Sequence, residues 1–124
     1  MNNIEFVESI VEVVRESTIS DTVNDLIDPP GRKPSKEDME LSSWFNSLAE
    51  KDKEVVKKII QNAVDTTIFG LLAVIDGVRA IKNSFEKGKL ELYYKNKDVE
   101  ELLNDPDKEY LHEIYNSIVT ERRE

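Results

Sequence analysis

The chain has no cysteine and a single histidine among its 124 residues. The first absence removes thiol nucleophiles, disulfides and thiolate-held zinc, and it suits a reducing compartment. The second removes every metal motif built on two or more imidazoles. Walker loop, GxGxxG, HExxH, GxSxG and calcium-loop patterns are also missing, so no cofactor or metal ion is expected. The longest run without a charge, Thr66 to Ile75, falls well short of the roughly 20 apolar residues that cross a bilayer. The N-terminus, MNNIEFVESIVEVVRES, has Glu spread through its apolar residues instead of the basic start of a secretory signal. A soluble, cytoplasmic protein with no membrane contact is the expectation.

Bases are scarce as well: 17 Lys and Arg against 26 Asp and Glu give a net charge of −9. Residues 1 to 28 hold seven acids and one base, residues 29 to 64 six acids and seven bases, and residues 65 to 124 thirteen acids and nine bases. The acid is concentrated at the front. Such a chain repels phosphate backbones, so direct nucleic-acid binding is not expected and a basic protein partner is.

Glycine and proline number four each, and three of the prolines with one glycine fall in DPPGRKPS, residues 28 to 35. That segment reads as a connector within a single domain spanning residues 1–124. Before it, Ile4, Val7, Ile10, Val11 and Val14 recur at helical spacing and predict a helix over 3–17, followed by a short helical piece over 21–27. After it, Ser35 reads as an N-cap with Glu37 and Asp38 in the first turn, ahead of a helix carrying Met39, Leu41, Trp44, Phe45 and Leu48 on one side. The longest helix is expected from Lys51 to about Lys82, stopped by Asn83 to Gly88. KLELYYK alternates as a half-buried strand over 89–95, and Val99 to Leu103 can pair back on it. Asp105 as N-cap and Pro106 at the first helical position open a last helix with Tyr110, Leu111, Ile114, Tyr115 and Ile118 inward, and residues 120–124 read as a frayed tail. The fold class is therefore α+β and mainly helical: four or five helices packed around a long central helix, with one β-hairpin before the C-terminal helix.

Within the long helix, Ala63, Thr66, Gly70, Ala73, Gly77 and Ala80 recur at spacings of three and four and predict a seam of small residues admitting a close helix neighbour, with a homodimer as one way to fill it. Ile68, Leu71, Leu72, Val74, Ile75 and Val78 cover much of the remaining circumference, which predicts neighbours on most sides. Asp65, Asp76 and Arg79 line one edge beside this apolar run. As a structural set they are an Asp76–Arg79 ion pair and a rim carboxylate; as a pocket, joined by His112, they are candidates for acid–base work or ligand binding. Buried charges require partners, and further polar residues of the kind catalytic carboxylates keep nearby are not visible, so the ion pair is preferred.

Glu5, Glu8, Glu12 and Glu16 climb one side of the first helix as a ladder of like charges with only Arg15 nearby in sequence. Tyr93 alternates away from Leu92 and Tyr94 and should face solvent or a partner. Arg32, Lys33 and Lys36 precede a helix N-terminus that suits a phosphate, but Glu37, Asp38 and Glu40 follow directly, so the cluster reads as a solvated loop. These readings favour a small protein-binding domain, an accessory, inhibitor or immunity-type protein. It would engage a basic partner through Glu5, Glu8, Glu12, Glu16 and Tyr93. The alternatives are a small enzyme or ligand-binding domain using Asp65, Asp76 and Arg79, and a nucleic-acid mimic.

Overall fold

The computed structural model describes residues 1–80 and 88–123. Its N-terminal segment is one rod made of α1 (Asn3–Ile10), a π-helical stretch (Val11–Glu16) and α2 (Ser17–Ile27), with no break between them. The rod replaces the two separate pieces expected from the sequence. Asn2 starts it with a capping box, accepting from Glu5 N–H at 2.8 Å while the Glu5 side chain accepts from Asn2 N–H.

The π stretch follows from which residues the rod buries. Asn3, Val7, Val11 and Arg15 are all buried and stand four apart. In a regular α-helix of 3.6 residues per turn that row drifts around the rod, and one wider π turn brings it back to a single face. The stripe read from the sequence is thereby redrawn. Val7 and Val11 are fully buried, but Ile4 and Val14 are 45% and 40% exposed.

Helix α3 (Lys36–Ser47) starts where expected, with Ser35 Oγ accepting from Asp38 N–H at 3.1 Å. It packs on α2, and Ser42 and Asn46 both reach Ile27 O, which satisfies a carbonyl at the end of α2. Phe45 is buried under Lys53, but Trp44, Met39 and Leu41 are largely exposed, so the helix buries less of its apolar side than its sequence suggested.

The long helix α4 (Glu50–Ile75) ends seven residues before the expected Lys82. Gly77 is the reason. It has φ +80°, its N–H bonds to Val74 O at 3.0 Å and Val78 N–H bonds back to Ala73 O at 3.1 Å, the paired bonds that close a helix on a left-handed glycine. Of the expected stop at Asn83–Gly88, all but Gly88 lies outside the described residues. Gly77 therefore leaves the seam. Gly70 and Ala73 are buried, while Ala63, Thr66 and Ala80 are exposed. Gly70 admits a side chain rather than a helix, since a Cβ there would stand 2.6 Å from Arg79 Nη1. Leu71 is 59% exposed, so α4 is not enclosed on every side, and Val78, beyond the helix end, is 52% exposed.

Strands β1 (Tyr93–Asn96) and β2 (Val99–Leu102) pair antiparallel with Asn96 opposite Val99, and Lys97 takes φ +54° in the turn. The hairpin is shorter than the alternation predicted and is tied down at its base. Asn104, buried beyond β2, accepts from Leu92 N–H and donates to Leu90 O and to Ile75 O at the end of α4. Helix α5 (Leu111–Arg123) begins later than expected because Asp105 closes a turn onto Asp107 and Lys108 instead of capping a helix. It continues through Arg123, past the point where fraying was expected. The core joins Val7 and Val11 of the rod, Leu72 of α4, and Leu111, Ile114, Tyr115 and Val119 of α5.

The architecture is mainly helical, with the long α4 in the middle and the hairpin before the C-terminal helix. The two helix glycines should separate cleanly in urea denaturation. Gly77→Ala should lose roughly 1 to 2 kcal/mol, because a side chain is disfavoured at positive φ. Gly70→Ala should stay near the parental midpoint, since it meets only the movable end of Arg79.

Candidate functional site

The residues singled out in the sequence lie in three separate places. The first centres on Asp65, which faces the rod and α5 from the middle of α4. Arg15 donates to it twice, from Nε to Oδ1 at 2.6 Å and from Nη2 to Oδ2 at 3.1 Å. Tyr115 Oη donates to Oδ1 at 2.7 Å, and Arg123 Nη2 donates to Oδ2. Asp65 is 6% exposed and Arg15 2%, so this is a buried ion pair in which each carboxylate oxygen receives two donors.

Burial alone would push the Asp65 carboxyl up, but the hydrogen bonds from Arg15, Tyr115 and Arg123 outweigh it and hold the carboxyl below its usual range. Asp65 in turn raises Arg15 against the opposing effect of burial. Burial, and then the bond to Asp65, push the Tyr115 hydroxyl well above its ordinary value. A carboxylate held ionised with its lone pairs occupied does not abstract protons. The neighbouring cleft adds Thr66, Asn116 and Thr120 but no further acid or base.

Asp76 lies about 16 Å further along the helix axis, at eleven residues of 1.5 Å rise each. It does not pair with Arg79, as the sequence suggested. Its Oδ2 accepts from the backbone N–H of His112 at 2.9 Å and lies 2.7 Å from His112 Nδ1. Asp76 thus caps the start of α5 from a distant element, and the shared acceptor places the ring proton on Nδ1. His112 is stacked on Tyr110 and meets Phe69 edge-on, which fixes its plane. Asp76 Oδ1 is buried without a donor among the described residues. Arg79 is exposed, with its guanidinium over Gly70. The structure therefore brings Asp76 and His112 together and leaves Asp65 and Arg79 elsewhere. Among the described residues no group of three His, Asp or Glu side chains is placed to hold a metal ion.

The third place is the Glu ladder. Glu5 serves the capping box, while Glu12 and Glu16 accept from Arg122 of α5 at 3.2 and 3.1 Å. Glu16 also pairs with Arg15 at 2.9 Å. The ladder is thus relieved from across the fold, not only by Arg15. Beside it, Met1, Glu5, Glu8, Glu12, Val13, Ile118, Glu121 and Arg122 line an open groove of about 600 Å³ between the rod and α5. Tyr93 stands apart on the hairpin, 44% exposed, with its hydroxyl on Glu91 at 2.9 Å. Compared with protein-family models, with curated proteins and with solved structures, the chain gives no significant match.

Sequence reasoning missed Arg15, Tyr115 and Arg123 as the partners of Asp65, and Arg122 as the counter-charge of the ladder. Arg15 did carry a signal, as a lone base continuing the row Asn3, Val7, Val11. The arginines near the C-terminus carried none, because their partners are distant in sequence, more than a hundred residues away for Arg122 and 58 for Arg123.

Removing one member of a buried ion pair typically costs about 3 to 5 kcal/mol, so Arg15→Ala should lower stability by that order. Asp65 gives a pH test of the same contact. Its folded-state pKa lies below the unfolded value of about 3.9, so its contribution is present above that pH and is lost as pH falls through the folded value. Acid unfolding followed by circular dichroism should be less steep in Asp65→Asn than in the parent. Equal steepness would show that the carboxylate is not held by its donors.

Proposed function

We propose that the chain is a cytoplasmic protein-binding domain of accessory, inhibitor or immunity type that holds a basic partner in the groove between the N-terminal rod and α5. The carrying observation is the groove's chemistry. Glu5, Glu8, Glu12 and Glu121 line it together with the apolar Met1, Val13 and Ile118, and Arg122 is the only base among the described lining residues. Glu8 and Glu121 have no ion-pair partner among the described residues. Such a surface suits a segment that presents Lys or Arg beside one apolar side chain.

Arg122 shows how a partner would be held. Its pairs with Glu12 and Glu16 join side chains that are 42% to 67% exposed, and ion pairs of that kind contribute about 0 to 1 kcal/mol. An incoming guanidinium or ammonium can share or replace them at little cost. The surrounding acid excess acts at longer range and raises the rate of encounter.

The test begins with affinity capture from native lysate at low and high salt, which should recover a basic protein in a salt-sensitive manner. The double variant Glu8→Gln/Glu121→Gln spares the capping box and the Arg122 pairs, so its stability should match the parent's. Association with the recovered partner should slow, and its salt dependence should flatten. A partner that associates with this variant at the parental rate across ionic strengths would place binding elsewhere and defeat the proposal.

A further inference from the structure

Between α4 and α5 lies a cleft of about 290 Å³, close to the ~300 Å³ at which small-molecule pockets begin. It shares no described lining residue with the acidic groove. Thr66 and Phe69 of α4 stand on one side, and Asn116, Val119, Thr120 and Arg123 supply the other over two turns of α5. Asp65 and Tyr115 also line it. Both are more than nine-tenths buried and Tyr115 Oη donates to Asp65 Oδ1 at 2.7 Å, so this part of the lining is fixed by the interior.

Charge selects the ligand that such a cleft can take. Asp65 is the only acid among the described lining residues, and its oxygens already receive four donors. Arg15 and Arg123 both pair with it, so one carboxylate answers two guanidiniums. Arg15 has a second acid in Glu16 at 2.9 Å. Arg123 is 39% exposed at its side chain, pairs with Asp65 alone among the described residues, and uses only Nη2 to do so. A guanidinium presents five N–H donors in a planar fork that matches a carboxylate, so Nε and Nη1 can serve a second one. The groups beside it are neutral. Thr66, Asn116 and Thr120 are exposed and their side chains have no hydrogen bond among the described residues, unlike Thr67, which donates to Ala63 O at 2.7 Å. In a chain of net charge −9, an anion entering here meets a cation and no unsatisfied acid of the described lining.

We propose that the cleft binds a small organic carboxylate, its anion taken by Arg123 with Thr120 and Asn116 and its apolar body by Phe69 and Val119. A charge-assisted bond to the guanidinium orients the ligand, and burial of the body adds affinity. The volume suits a ring-sized body rather than a drug-sized one. Binding here is independent of the groove, so either can fail without the other.

Titration of the isotope-labelled full chain with sodium benzoate at constant ionic strength, followed by NMR, tests this. The amide resonances of Thr66, Asn116 and Thr120 should shift and saturate with a Kd in the millimolar range. Benzamide, which has the same shape without the charge, should give no saturation. Arg123→Gln removes the charge but keeps an N–H donor for Asp65, and it should weaken benzoate binding by at least about fivefold. Thr120→Val lies outside the ion pairs, so it should leave circular dichroism unchanged while weakening binding by at least about twofold. Shifts that do not saturate overturn the proposal, as does benzamide binding as tightly as benzoate or an unchanged benzoate affinity in either variant. Saturation confined to the resonances of Glu8 and Glu121 would place the anion in the groove and overturn it too.

Discussion

The fold depends most on the carboxylate of Asp65. A charge placed in the interior is tolerable only when its partners come with it, and here they come from both ends of the chain: Arg15 from the N-terminal rod, Tyr115 and Arg123 from α5. The π turn in the rod keeps Arg15 on the same face as Val7 and Val11. The last turn of α5 is held because Arg123 is drawn to the same carboxylate. Arg122, next in line, then points to the other side and meets Glu12 and Glu16. One buried ion thus helps set the position of both walls of the acidic groove.

A second knot closes the far end of α4. Asp76 caps α5 and fixes the His112 ring, while Asn104 gathers the Ile75 carbonyl and the base of the hairpin. Asn104 spends its side-chain amide, and Asp76 its Oδ2, on backbone groups that the ends of helices and strands leave unsatisfied. This explains why a region with acids and a histidine at hydrogen-bond distance serves as a joint. Among the described residues the N-terminal half of α4 has no comparable knot, and Val55 and Ile59 are exposed there.

Periodicity made the element order legible: the helical N-terminal segment, though not its continuity, the Ser35 cap, the long helix and the hairpin all follow from spacing and turn residues. What it could not supply was partner choice. Asp65 and Asp76 look alike in sequence, each beside the same apolar run, yet one is bound by two arginines and the other by a helix N-terminus and a histidine. The pairing of Asp76 with Arg79 was the nearest in sequence, but the helix ends at Gly77 and turns Arg79 away over Gly70. Gly77 itself was readable as a helix terminator, with Val78 following as the residue whose N–H closes the motif. Its spacing of four from Ala73 and three from Ala80 made it look like part of the seam. Trp44, Met39 and Leu41 show the opposite error, apolar residues at core spacing that the fold leaves outside.

The central claim is that Asp65 and Arg15 act as one unit across the rod and α4. A double-mutant cycle in urea with Arg15→Met, Asp65→Leu and the double variant measures that directly. Each single change leaves a buried charge without its main partner, whereas the double change leaves none on either side, so the account predicts that the double variant loses far less than the two singles together, by more than about 1 kcal/mol. Single effects that add to within about 0.5 kcal/mol would show two independent side chains and contradict it.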